Sequence, residues 1–160
     1  MNDWANFLIA EIGAAAALTG LIFVSVSINI GKILTVATLA ERALVAILLL
    51  LTVLVVCSLL IVPGETMRLA GWEVLAAGFV TWVIVVRLDL RILRNIDPAY
   101  RHHMRLSATI NQLPLLLYGV TGVAVLVRGP AGMMWLVPAV LISFIKALAD
   151  AWVLLVEINR

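Results

Sequence analysis

From Ala43 to Val62 the chain carries no charged residue, and no other feature narrows its folding options so far. A helix rises about 1.5 Å per residue, so about 20 apolar residues cross a hydrocarbon core about 30 Å thick. The same reading applies from about Phe7 to Gly31, Leu69 to Val86, Leu106 to Val127 and Met133 to Val156. With 64% hydrophobic and 12% charged residues and a mean hydropathy of +1.17, a chain of 160 residues has little left for a soluble domain. The expected fold is therefore all-α, a single transmembrane domain of five helices covering residues 1–160.

Local chemistry supports these boundaries. Pro63–Gly64 and Gly129–Pro130 supply turns that stop a helix. Trp72 and Trp82 stand near the two ends of the third segment, as indoles do at membrane interfaces. Residues 87–105, RLDLRILRNIDPAYRHHMR, form a basic loop whose early part keeps leucine and isoleucine at helical spacing. That part is expected to extend the third helix, and Asp97–Pro98 to end it, because proline disfavours helical geometry in the residue before it. The amino terminus has no positively charged n-region and runs into a long apolar stretch, so it reads as a retained first span.

Basic residues orient such a chain. Five spans put Lys32, Arg42, Arg87, Arg91, Arg94, Arg101, Arg105 and Arg160 on one side, against Arg68 and Arg128 on the other. The positive-inside rule then assigns the amino terminus to the outside and the carboxyl terminus to the cytoplasm. The net charge of +2 is spent on this asymmetry, and no nucleic-acid partner is expected. Cys57 is the single cysteine, which excludes an intrachain disulfide.

Polar residues inside the spans are the candidates for function. Glu11, Ser25 and Asn29 share a narrow arc of the first helix with Leu18 and Ile22. Gly13, Ala16, Ala17 and Gly20 lie roughly opposite, at the four-residue spacing that lets another backbone approach. This predicts a packing or oligomer face on a helix engaged on both sides, central in its bundle or at a subunit interface. Asn111 falls in a stripe with Ser107, Tyr118 and Gly122 in the fourth segment. Lys146 and Asp150 are four apart in the fifth and share its face with Ser143 and Glu157. Ser25, Asn111 and Lys146 come out at a similar depth, so Glu11, Ser25, Asn29, Asn111, Lys146 and Asp150 are expected to form an intramembrane polar interior. There Lys146 and Asp150 would meet each other, Asn111 or Ser25, since an isolated charge at the bilayer centre costs about 2.5–3.5 kcal/mol. Glu73 is expected at the interface near Arg68, and His102 and His103 as solvated surface residues.

No HExxH, GxSxG, GxxxxGKS/T or CxxC pattern is present, so no catalytic residue, metal or cofactor is expected. The opening run FLIAEIGAAAALTGLIFVSVSINIGKIL, with LAERALVAILLLLTVLVVCSLLIVPGE after it, resembles small bacterial membrane proteins, some of them named modulators of the FtsH protease. The likeness covers about the first 65 residues and implies a bacterial plasma (inner) membrane and a non-enzymatic accessory role, without assigning site residues. Two functions follow as expectations. One is a bundle that self-associates as a homo-oligomer or attends another membrane protein within the lipid bilayer. The other is an oligomeric ion channel or small-solute pathway lined by the polar interior.

Overall fold

A computed structural model describes residues 2–35, 37–96 and 101–156. Its elements are α1 (Asn2–Ile28), α2 (Ile30–Thr35), α3 (Ala37–Leu60), α4 (Met67–Asn95), α5 (Arg101–Arg128), a 3-10 turn (Gly129–Trp135) and α6 (Leu136–Val156). No strand occurs among the described residues. Large apolar side chains point outward around the bundle, including Phe23, Ile28, Phe79, Val127, Ile145 and Trp152. A water-soluble monomer does not carry apolar surface on this scale. The outer surface of this molecule suits lipid.

Four helical runs are long and apolar enough to cross a membrane, rather than the five expected: Trp4–Ile28, Thr38–Leu60, Met67–Asn95 and Met104–Val153. The correction arises because the segments expected as fourth and fifth spans belong to one 50-residue helical run. That run is not straight. Tyr118 and Ser143 would stand about 37 Å apart on a continuous helix, yet their hydroxyl oxygens are 3.2 Å apart. Gly129, at φ 60°, starts the reversal, and the 3-10 turn carries the chain round to α6. Gly132 completes it, because a Cβ there would lie 2.3 Å from the backbone of Ala124.

The other ends follow from sequence chemistry. Gly64 adopts φ 78° after Pro63, and the Thr66 side chain then caps α4 by accepting from the Leu69 amide at 3.4 Å. Helix α4 continues through Arg87 to Asn95, so the first part of the basic segment is helical, and Ile96 leaves the helix in extended geometry. Asp97 and Pro98, expected to end it, lie outside the described residues, as do Arg160 and Glu157. The first span, expected to reach Gly31, stops at Ile28; Asn29 makes a turn before α2.

The centre of the bundle is α3, not α1. Half of the most apolar stretch of α3 is buried, against 17% of that of α1. Val45, Ala46, Leu49, Leu50, Val53, Val56 and Cys57 cover two faces of α3 and are all fully enclosed. Helix α1 buries one stripe, Leu8, Ala15 and Ile22 at seven-residue steps, and leaves its other side open. The backbone approach that small residues permit is found instead between α4 and α5, where Gly71 and Gly122 face each other.

Candidate functional site

The inward face of α6 carries Ser143, Lys146 and Asp150, all buried. Lys146 Nζ donates to Asp150 Oδ2 across one helical turn, the contact expected from their spacing. The other oxygen of Asp150 accepts from Arg42 Nη2 at 3.3 Å, a residue of the first turns of α3. Asp150 therefore holds one cation on each carboxylate oxygen. Arg42 is the outermost of the three, its side chain 19% exposed against 8% for Lys146 and 5% for Asp150.

A second carboxylate sits in the wall formed by α4 and α5. Asp89, 6% exposed, accepts from Asn111 Nδ2 at 2.9 Å and from Gln112 Nε2 at 2.8 Å. The charges of Lys146 and Asp150 act on Asp89, so the two carboxylates share one electrostatic environment. Together Arg42, Lys146, Asp89 and Asp150 supply two formal cations and two formal anions from three helices. Pairing offsets part of the cost of removing four charges from water, a cost of several kcal/mol per ion when left uncompensated.

The amide groups add an asymmetry. Their nitrogens are committed to Asp89, while Asn111 Oδ1 and Gln112 Oε1 are buried without a hydrogen-bond partner among the described residues. Two orphan acceptors beside a carboxylate make a strongly electronegative spot. Buried acceptors of this kind call for a donor or a cation. A water, a hydronium ion or a small monovalent cation has the required chemistry. Among the described residues, no group of three or more His, Cys, Asp and Glu could hold a metal ion.

Polar groups continue towards the opposite end. Ser143 gives its proton to Ala139 O at 2.8 Å, which leaves its oxygen to accept from the fully buried Tyr118 hydroxyl at 3.2 Å. Beyond them Glu11 is half-buried, and its charge acts on both Tyr118 and Cys57.

The remaining expected residues behave differently. Ser25 and Asn29 are buried at the charged end, but each bonds its own helix, Ser25 to Leu21 O at 2.8 Å and Asn29 to Ser25 O at 3.1 Å. Neither hydrogen-bonds to Lys146, and Asn111 serves Asp89 rather than Lys146. Gly13, Ala16, Ala17 and Gly20 lie on the open side of α1, with nothing within 4 Å of a Cβ built at either glycine. Glu73 hydrogen-bonds with Glu65 of the turn before α4.

Sequence reasoning missed Arg42 and Asp89. Arg42 is 108 residues from its partner, and nothing local announces such a pairing. Asp89 carried a usable signal: with Val85, Leu88 and Ile92 it follows one helical stripe, and all four are buried. It was masked by the arginines around it.

No family model, curated protein or solved structure matches this chain.

Proposed function

We propose that the protein is a small, non-enzymatic membrane bundle whose interior takes up and passes a proton or a small monovalent cation, with Asp89 as the group that holds it. The observation that carries this reading is the buried Asp89 carboxylate flanked by two amide oxygens that have no donor. Intramembrane ionisable groups are costly, and where they persist they mark ion pathways and proton relays. Lys146 acts as the internal counter-ion of both carboxylates, and Arg42 guards the nearer mouth. Tyr118 with Ser143, and then Glu11, continue the polar line across the bundle.

In this reading both arms of the Met104–Val153 run, which folds back on itself, lie within the membrane. The end carrying Arg42, Arg87, Arg91, Arg94 and Arg105 faces the cytoplasm under the positive-inside rule, with the amino terminus outside and the bacterial inner membrane as the setting.

Proteoliposomes loaded with a pH-sensitive dye, with the membrane potential clamped, test the proposal with and without sodium. Wild-type protein is expected to dissipate an imposed proton or sodium gradient, and Asp89→Asn to remove most of that flux while keeping Asn111 and Gln112 in hydrogen-bonding reach. Vesicles as tight as protein-free ones, or an Asp89→Asn variant as fast as wild type, would rule the pathway out.

A second reading is favoured by the open side of α1. Gly13, Ala16, Ala17 and Gly20 offer another helix a close approach that nothing among the described residues uses. Self-association, or an accessory role beside another membrane protein as the N-terminal resemblance implies, fits that surface. Gly13→Leu with Gly20→Leu is expected to lower the native mass in mild detergent. An unchanged mass would remove this interface.

A further inference from the structure

At the charged end of the bundle, α4 and α5 leave a crevice of about 320 Å³ between them, lined by Leu90, Leu93, Arg94 and Arg105. Both arginines are exposed. Arg87 and Arg91 precede Arg94 by seven and three residues, so all three present guanidinium groups on one outer face of α4. Among the described residues, none of Arg87, Arg91, Arg94 and Arg105 takes part in an ion pair, while both ion pairs found are spent on Asp150. Two cations from neighbouring helices thus face one crevice with no anion between them among the described residues.

We infer that this crevice binds the phosphate of a lipid of net negative charge, held between Arg94 and Arg105. Three features select that occupant. Guanidinium groups match phosphate oxygens with paired, charge-assisted hydrogen bonds. Arg105 lies near the start of α5, the positive end of its dipole, where a further cation is disfavoured and an anion favoured. The other wall is leucine, and Leu90 is 48% exposed, which suits the glycerol and upper acyl chain of a lipid and gives a free inorganic anion nothing. The site lies within the last turn and a half of α4, where the proposed orientation puts the headgroups of the adjacent leaflet. It is separate from the Asp89 cluster and does not depend on ion passage.

The test uses the full-length protein in a neutral detergent, with phosphatidylglycerol, phosphatidylcholine or inorganic phosphate added. Retained lipid is read by native mass spectrometry and stability by thermal unfolding. Phosphatidylglycerol is expected to be retained and to raise the unfolding temperature, with the other two having little effect. At about 1 kcal/mol per basic residue near an anionic surface, Arg94→Gln weakens retention about fivefold, and Arg94→Gln with Arg105→Gln about thirtyfold. Arg128→Gln, at the opposite end, leaves it unchanged. Equal retention of phosphatidylcholine, an equal shift from inorganic phosphate, or unchanged retention by the double variant would each overturn the site. Arg94→Lys, which keeps the charge and loses the fork, is expected to fall between wild type and Arg94→Gln; this variant keeps the test open if the double variant does not fold.

Discussion

The α4–α5 interface is two different joints along one line. At one end a Cβ on Gly122 would lie 2.5 Å from Leu75 Cγ and 2.9 Å from Gly71 O, so the two backbones nearly touch and no polar side chain intervenes. At the other end the helices are joined by Asp89 with Asn111 and Gln112, and the Lys146–Asp150–Arg42 group lies behind them. Lipid tails are as apolar as leucine, so helices in a membrane cannot rely on a hydrophobic drive to associate. They associate by close packing or by polar contact. The glycine joint fixes distance and has no group that responds to a solute. The polar joint fixes register and also leaves acceptors open to a solute.

The largest effect is expected from breaking the charged end. Asp150→Asn removes the shared partner of Lys146 and Arg42 and leaves a buried ammonium without an ion-pair partner, offset only by the charge of Asp89; breaking such a pair costs about 3–5 kcal/mol. Arg42 is partly exposed and can turn to water, so the loss belongs near the lower figure. Adding Lys146→Met removes the stranded charge, and the double variant is expected to be more stable than Asp150→Asn alone. Reversible unfolding in mixed detergent micelles measures both. A single variant as stable as wild type would show the pair to be hydrated, and the contrast between the two joints would lapse.

Breaking the glycine end comes next. A side chain at Gly122 meets the backbone oxygen of Gly71 at 2.9 Å, which has no rotamer by which to move aside. Gly122→Val is expected to cost about 1–3 kcal/mol, the usual range for overpacking, and to loosen α4 from α5. Gly119→Ala provides the control, because nothing lies within 4 Å of its added carbon. If the two variants unfold alike, close packing is not what holds this end.

How much of this was legible in the sequence depends on the range of the interaction. Apolar runs, the turns at Pro63–Gly64 and Gly129–Pro130, and the Lys146–Asp150 contact are local, and the chain displays them directly. The burial of Ser25, Asn29 and Asn111 also followed from helical phase. The hydrogen-bond partners did not. Asn111 has Asp89 as its partner because α4 keeps its helical phase past Arg87, and Asp150 gains Arg42 only when the start of α3 meets the end of α6. The same limit applies to small residues: Gly13 and Gly20 look as suited to packing as Gly71 and Gly122, and only the assembled bundle distinguishes the open pair from the packed one. The count of spans changed for a different reason, since a 3-10 turn joins two expected spans into one helical run that folds back.

The smallest effect sharpens the comparison at the dry end, where one pair of acids intrudes. Glu65 lies in the turn between α3 and α4, beside Glu73 of α4, and its Oε2 is buried without a partner. Desolvation, then the charge of Glu73, then a hydrogen bond with Glu73 hold the Glu65 carboxyl above its ordinary value of 4.5. The folded chain therefore binds more protons than the unfolded chain as pH rises from about 4.5 towards the folded value. Stability from this group is complete below that window and declines as pH rises through it. Glu65→Gln keeps the hydrogen-bonding shape and removes the ionisation, so its unfolding temperature should fall less than that of wild type between acid and neutral pH. Parallel profiles for the two proteins would mean that Glu65 is fully hydrated, and the glycine end would then be free of charge strain as well as of polar contacts.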